Sequence, residues 1–241
     1  PGNPGPPGSD MAGTLISAAA HLQVADRVVG FAHAPLATVA LAAVSFLAKK
    51  PIALSAEQAC TLPTTWTTTH VAFERAALHR GQAVMVHAAA GGVGLIALGY
   101  AHWIGAQVSG TAGRPSKHAQ LRSLGLTHIW SSRSGALFTM GLRTFSACRA
   151  HAVLNSLSSD FIAVSSACTA EGGALVELGK RGIWTPSFGA ASTRYLALAL
   201  DTDMVQRPTW MHGLLRLMSS RADQHVLHSL PLRSFDLERQ H

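Results

Sequence analysis

The stretch 83–111 constrains this chain more than any other. It opens on the apolar run Ala83-Val84-Met85-Val86, set between Gly81-Gln82 and a turn of small residues. A short apolar run bounded by turn residues suits a strand buried on both faces of a parallel sheet. Ala89-Ala90-Gly91-Gly92-Val93-Gly94 follows, then about a dozen residues without proline, carrying Leu95, Leu98, His102 and Trp103, that end at Gly105-Ala106. Gln107-Val108-Ser109-Gly110-Thr111 reads as the next strand. The whole is a strand–helix–strand unit with its glycines at the first turn, where bare backbone lets a pyrophosphate reach the free N–H groups and positive dipole end of a helix. The first glycine of the common G-x-G-x-x-G pattern is Ala89 here, and the alternative for so short a motif is a tight turn that binds nothing. The flanking strand and helix supply the context that the motif requires.

The rest of the chain repeats this alternation. Helices are expected over 116–124 and 162–169, and strands over 127–130, 153–154, 174–178 and 195–200, with a turn at Gly172-Gly173. A helical stripe covers 211–219. Strands alternating with helices predict a doubly wound parallel sheet with ligands at its C-terminal strand ends. The first seventy residues read differently. Strands are expected over 10–20, 24–31 and 36–44, then a short helix after Ser55 without a full capping box, a break at Pro63, and a helix introduced by Thr67-Thr68-Thr69. Residues 230–235 again look strand-like. The division predicted is a partial, mostly β domain over 1–70, a Rossmann domain over 71–204, and a return to the first domain over 205–241.

Composition narrows the function. Charged residues make up 13% of the chain, against ~25% in ordinary soluble domains, which points to extensive burial or to docking faces inside a larger polypeptide. The formal charge of +7 suits phosphorylated ligands or acidic partners, but no Lys/Arg block with interleaved aromatics argues for nucleic acid. Residues 31–48 are uncharged yet broken by His33, Pro35, Thr38 and Ser45, so buried strands rather than a membrane span are expected. Cys60, Cys148 and Cys168 are scattered and the 13 histidines show no ligand spacing, so no structural metal site is expected and a reducing cytoplasm fits.

Beyond 107–111 the chain offers no Asp or Glu to hold a ribose 2′-hydroxyl. Arg114 and Lys117 stand there instead, which suits a 2′-phosphate; the alternative is a pair of surface residues at a helix start. Arg133, after the next strand, edges the same place. Charge-assisted hydrogen bonds contribute ~1.5–3 kcal/mol each, so two separate the phosphorylated cofactor from its plain form by about two orders of magnitude. Lys180 and Asp201, with Asp203 two residues on, fall where strands are expected to end, and read either as chemistry-bearing side chains or as a structural salt bridge or solvated strand ends.

Several segments stand together in an order that resembles the enoyl-reductase domain of polyketide synthases and animal-type fatty acid synthases, zinc-free members of the medium-chain dehydrogenase/reductase superfamily. They are Pro-Gly-Ser-Asp-Met-Ala-Gly (7–13), Ala-Asp-Arg-Val-Val-Gly (25–30), Ala-Cys-Thr-Leu-Pro (59–63), Val-His-Ala-Ala-Ala-Gly-Gly-Val-Gly (86–94), Leu-Arg-Ser-Leu-Gly (121–125), Ser-Ser-Arg (131–133), Val-Leu-Asn-Ser-Leu (153–157), Val-Glu-Leu-Gly-Lys (176–180) and Leu-Pro-Leu-Arg-Ser-Phe (230–235). Residues 135–149 match poorly, His151-Ala152 replaces an acidic residue, and the family's chain extends past both ends of this one. The resemblance implies NADPH, held by Thr68, Ala89, Gly91, Gly92, Val93, Gly94, Thr111, Arg114, Lys117, Arg133, Asn155 and Gly179. It implies reduction of the α,β double bond of an enoyl thioester, with Lys180 protonating the α-carbon or stabilising the enolate and Asp201 orienting it. The acyl chain would arrive on the phosphopantetheine arm of an acyl carrier protein, beside neighbouring synthase domains. A quinone or free-enone reductase on the same fold, or a synthase domain that keeps the fold without catalysis, are the alternatives.

Overall fold

The structure is a computed structural model describing residues 8–33, 37–143, 149–157, 160–178 and 193–235. The chain divides into two compact units, Pro1–Thr67 with Leu200–His241, and Thr68–Ala199.

The second unit is built on six parallel strands: β4 (Ala83–Val86), β5 (Gln107–Ala112), β6 (Ile129–Ser131), β7 (Ala150–Asn155), β8 (Thr169–Glu177) and β9 (Arg194–Ala197). They lie in the order β6-β5-β4-β7-β8-β9, and every adjacent pair runs parallel. The chain therefore starts mid-sheet, winds outward one way, then returns and winds the other. The reversal falls between β4 and β7, where folds of this kind bind ligands. Val84, Met85 and Val86 are buried, as are Val153, Leu154, Leu175 and Val176, which fits a sheet covered on both faces. Each such side chain contributes ~1.5–3 kcal/mol of burial. Between strands run α3 (Gly92–Ile104), α4 (Pro115–Ser123), α5 (Gly135–Arg143) and α6 (Asp160–Cys168). Gly105 closes α3 in the left-handed conformation, φ 76°, which glycine adopts without a Cβ penalty. The expected turn at Gly172-Gly173 is instead an irregularity within β8: the register to β7 shifts between Ala150 and Ala152, and Gly172 has φ 72°. A Cβ on Gly173 would lie 2.9 Å from the His151 carbonyl oxygen, so the glycine pair lets the strand bend and continue rather than reverse.

The first unit carries an antiparallel sheet of β1 (Asp10–Thr14), β2 (Arg27–Phe31) and β3 (Leu47–Lys49). The strands are shorter than expected, and the third falls after 36–44 rather than on it. Burial explains the shift. Leu47 and Ala48 are buried, whereas Val39 is 64% and Leu41 83% exposed, so the later residues gain from pairing with β2. Pro63 starts α2 (Pro63–Ala76) instead of breaking the chain, because the first helical position needs no N–H. Asp10, on β1, caps that helix from a distance, accepting from Thr64 N–H (3.1 Å) and Thr64 Oγ1–H (2.5 Å), and burial raises its carboxyl above the usual range. Ser55 does form a capping box for α1 (Ala56–Ala59), with Gln58 rather than an acid at the third position. Asp201 lies in the first turn of α7 (Leu200–Gln206), beyond the end of β9 rather than on it. An Asp there suits the helix dipole. In α8 (Pro208–Asp223) the residues Met211, Leu214, Leu215, Met218 and Ala222 are buried, and Ser219 Oγ–H donates to the Lys49 carbonyl oxygen (2.9 Å). Residues 230–235, expected to be strand-like, form no strand. Among the described residues no helix is long and apolar enough to cross a membrane.

Candidate functional site

β4, β5 and β7 end side by side, and their exits build the site. After Val86 the chain turns through His87–Gly91 into α3. Gly91 N–H closes the turn on the Ala88 carbonyl oxygen (2.8 Å), and Ala89 N–H reaches across to the Thr111 carbonyl oxygen (2.8 Å). Gly91 is the N-cap of α3 and offers no side-chain cap, so the first N–H groups of the helix lack the usual side-chain acceptor. That opening fits an anion.

The small residues of the turn are demanded by contact. A Cβ on Gly94 would stand 2.4 Å from the Ala89 carbonyl oxygen, and one on Gly110 2.8 Å from the Ala89 Cβ. Gly94 lets α3 run against the turn, and Gly110 lets β5 pass beneath it. This is a cradle that side chains would fill, and the residues fit a dinucleotide pyrophosphate. Ala89 is fully buried and serves the packing of the cradle.

The side chain of Thr111, a residue expected at the cofactor, is turned inward. It is fully buried; its Oγ1 accepts from Ala88 N–H (3.2 Å) and lies 3.2 Å from His87 Nδ1. Asn155 is likewise buried and committed within the protein. Its Nδ2 donates to the Leu157 carbonyl oxygen (2.8 Å) and to Glu177 Oε2 (2.6 Å), while Oδ1 accepts from Leu157 N–H (3.2 Å). Both side chains shape the loops rather than reach beyond them. Thr68 is half-buried on α2. Thr69, beside it, directs Oγ1 to the Val93 carbonyl oxygen (3.4 Å) in the first turn of α3.

At the exit of β5 the structure gathers cations. Arg114 is the N-cap of α4 and Lys117 lies in its first turn, which has no acidic residue. Arg133 folds over from the end of β6 and its Nε donates to the Gly113 carbonyl oxygen (3.4 Å). All three side chains are exposed. Cations at the positive end of a helix oppose its dipole, so the arrangement favours an anionic ligand. Gly179 and Lys180 lie outside the described residues, just past β8; the last described residue there, Leu178, donates its N–H to the Asn155 carbonyl oxygen (2.7 Å).

Sequence reasoning missed His87, Ser165 and Glu177. His87 is 3% exposed, its Nε2 lies 2.8 Å from Ser165 Oγ, and its ring stands edge-on to Phe138 and Phe161, with centroids 5.2 and 5.7 Å away. Burial pushes its pKa down to about 3. A polar residue breaking an apolar strand run at the mouth of the glycine turn was the available signal. Among the described residues no three His, Cys, Asp or Glu side chains gather as metal ligands.

The sheet order and the glycine cradle at its switch point define an α/β dinucleotide-binding fold. Residues 92–202 match the family model described as zinc-binding dehydrogenase. The structure is similar to that of CurK enoyl reductase, with a TM-score of 0.85, 31% identity, and coverage of 94% of this chain and 70% of that one. It is also similar to the nucleotide-binding subdomain of the enoylreductase domain of PpsC from Mycobacterium tuberculosis, at 28% identity and a TM-score of 0.63, over 69% of this chain and 97% of that one. In sequence it is 35% identical to polyketide synthase GfsB of Streptomyces halstedii over 96% of this chain, which spans 4% of that synthase's length. The chain belongs to the enoyl-reductase domains of polyketide synthases.

Proposed function

We propose that the chain is an NADPH-dependent enoyl reductase that acts on an α,β-unsaturated thioester carried by an acyl carrier protein, in the cytoplasm and among neighbouring synthase domains. The observation that carries this reading is the cationic exit of β5, Arg114, Lys117 and Arg133 with no acid in the first turn of α4, next to the glycine cradle. The N–H groups opening α3 and the backbone of Gly91, Gly92, Val93 and Gly94 would hold the pyrophosphate, and the three cations the 2′-phosphate. When bound, the reduced nicotinamide supplies hydride to the β-carbon. Lys180 follows β8 closely in sequence, and the family resemblance assigns it the α-carbon: its ammonium gives the proton or holds the enolate oxygen. Asp201 orients that ammonium in the same reading. The low charge content of the chain and its basic balance suit an acidic carrier domain.

Lys180→Ala tests this. Turnover of an enoyl thioester should fall, by ~10²–10⁴-fold where water cannot substitute and by less where it can, while NADPH affinity stays nearly intact, the pattern of an interaction made mainly in the transition state. Asp201→Asn should act in the same direction and without additivity. Unchanged turnover, or a loss explained wholly by NADPH binding, would remove Lys180 from the chemistry. Faster reduction of a quinone than of the thioester would move the whole reading to the quinone reductases.

A further inference from the structure

His87 is held on every side. Its backbone N–H donates to the Leu154 carbonyl oxygen (3.0 Å), and its own carbonyl oxygen accepts from Ser156 Oγ–H (3.4 Å). Both contacts bind it to the exit of β7. Its ring reaches Thr111 at the exit of β5 and Ser165 on α6.

The hydroxyl protons decide how the ring is protonated. Ser165 Oγ–H donates to the Phe161 carbonyl oxygen (2.5 Å), so its oxygen must accept from His87 Nε2–H. In a neutral ring Nδ1 is then the acceptor, and it takes the proton of Thr111 Oγ1. That oxygen is in turn free to accept from Ala88 N–H. The groups form one directed chain: Ala88 N–H, Thr111 hydroxyl, His87 ring, Ser165 hydroxyl, Phe161 carbonyl. Each member donates or accepts in the one sense its neighbours allow.

The chain ends on the residue of the glycine turn that needs support. Ala88 has φ 49°, the left-handed region, which costs a residue with a Cβ ~1–2 kcal/mol. Its N–H is held by Thr111, and its carbonyl oxygen by Gly91 N–H (2.8 Å). A turn in this conformation aims the following N–H groups at a ligand only while something over-determines it.

We infer that His87, as the neutral Nε2–H tautomer, is the positioning residue of the dinucleotide turn, acting through Thr111 to hold Ala88 and to pre-organise the opening of α3. The inference rests on the reading of that turn as a dinucleotide site. His87 touches no cofactor in this account. It sets the backbone that does.

The test combines the full chain as it stands with two substitutions at Thr111. In ¹⁵N NMR of the histidine rings, His87 should show a protonated Nε2 and a bare Nδ1 at neutral pH. Thr111→Val keeps the shape and removes the hydroxyl. It should weaken NADPH about three- to tenfold, the value of a hydrogen bond or two, measured by titration well below the melting temperature. Thr111→Ser restores the hydroxyl and should recover most of that affinity. The KM for the enoyl thioester should stay put throughout. A merely packing role predicts equal affinity for the Val and Ser variants in the folded protein, and that equality would overturn the inference while leaving the dinucleotide reading intact. A proton on Nδ1 in the unaltered chain would overturn it too, independently of any variant. An unaltered chain that binds no NADPH would sink both readings together.

Discussion

The exits of β4 and β5 are neighbours in one sheet and are built on opposite terms. The β4 exit is dry. His87 and Ala89 are buried, as is Thr111, which braces them from the end of β5; the side-chain polar atoms of His87 and Thr111 have partners inside the protein, and Gly94 and Gly110 stand where a Cβ would collide. The β5 exit is wet. Arg114, Lys117 and Arg133 are exposed, and their charge sits at a helix end that repels it. The first arrangement fixes backbone geometry before a ligand arrives, which lowers the ordering cost of binding. The second waits for the ligand to supply the missing charge. On the proposed reading one end provides fit and the other discrimination, and the two should fail differently.

The largest effect is expected at the dry end, from acid. The unfolded His87 imidazole takes up its proton near pH 6.5, the folded one only near about 3. Between those values the unfolded chain binds more protons, so stability is fully present above pH 6.5 and falls as the pH falls. The slope should approach ~1.4 kcal/mol per pH unit. The side chains the ring touches, Thr111, Ser165, Phe138 and Phe161, add no titration of their own. Denaturant melts of the second unit's signal across pH 7 to 4 should show this, and His87→Phe should flatten the profile. A slope unchanged by that substitution would detach the acid sensitivity from His87.

Next is the collision at Gly94. Gly94→Ala drives a methyl against the backbone of Ala89, an atom that cannot rotate away, and should cost ~1–3 kcal/mol and most of the dinucleotide affinity. At the wet end, replacing Arg114 and Lys117 together with Ala should weaken NADPH by roughly tenfold to a hundredfold. NADH should be nearly unaffected and the fold untouched. Salt should reproduce part of that loss in the unaltered chain, since exposed charges are screened. Equal weakening of both cofactors would dissolve the contrast between the two exits. The smallest change is a gain. Gly99, on the same helix as Gly94, has nothing within 4 Å of an added Cβ, so Gly99→Ala should stabilise by ~0.5–1 kcal/mol and leave binding alone.

The same contrast governs what the sequence reveals. The parallel sheet was legible because its strands are continuous apolar runs and its helices begin and end on glycine, proline and small residues; each signal is local. The glycine motif and the cations beyond β5 were legible for that reason too. The buried bracing was not. His87 and Ser165 are 78 positions apart, and nothing local marks them as partners. Thr111 and Asn155 were named by the family resemblance, which does not say which atoms face a ligand; their side chains turn inward and satisfy loops. In the first unit the strands 10–20 and 36–44 were over-read, since apolar content there does not decide pairing: Leu47 and Ala48 find a partner strand in β2, whereas Val39 and Leu41 remain exposed. Pro63 was taken for a break because a proline's meaning depends on whether it stands inside a helix or at its first residue, and Asp10, which caps that helix, lies 54 residues away.

The central claim is that these two exits serve NADPH for reduction of an enoyl thioester. It is met most directly by one measurement, the rate of reduction of a phosphopantetheine-linked enoyl thioester by this domain with NADPH and with NADH at equal concentration. The account predicts saturated-thioester formation with NADPH and a rate with NADH lower by at least about tenfold at subsaturating cofactor, as expected of a 2′-phosphate held by charge-assisted bonds. Equal rates with the two cofactors, or oxidation of NADPH without loss of the α,β double bond, would contradict it.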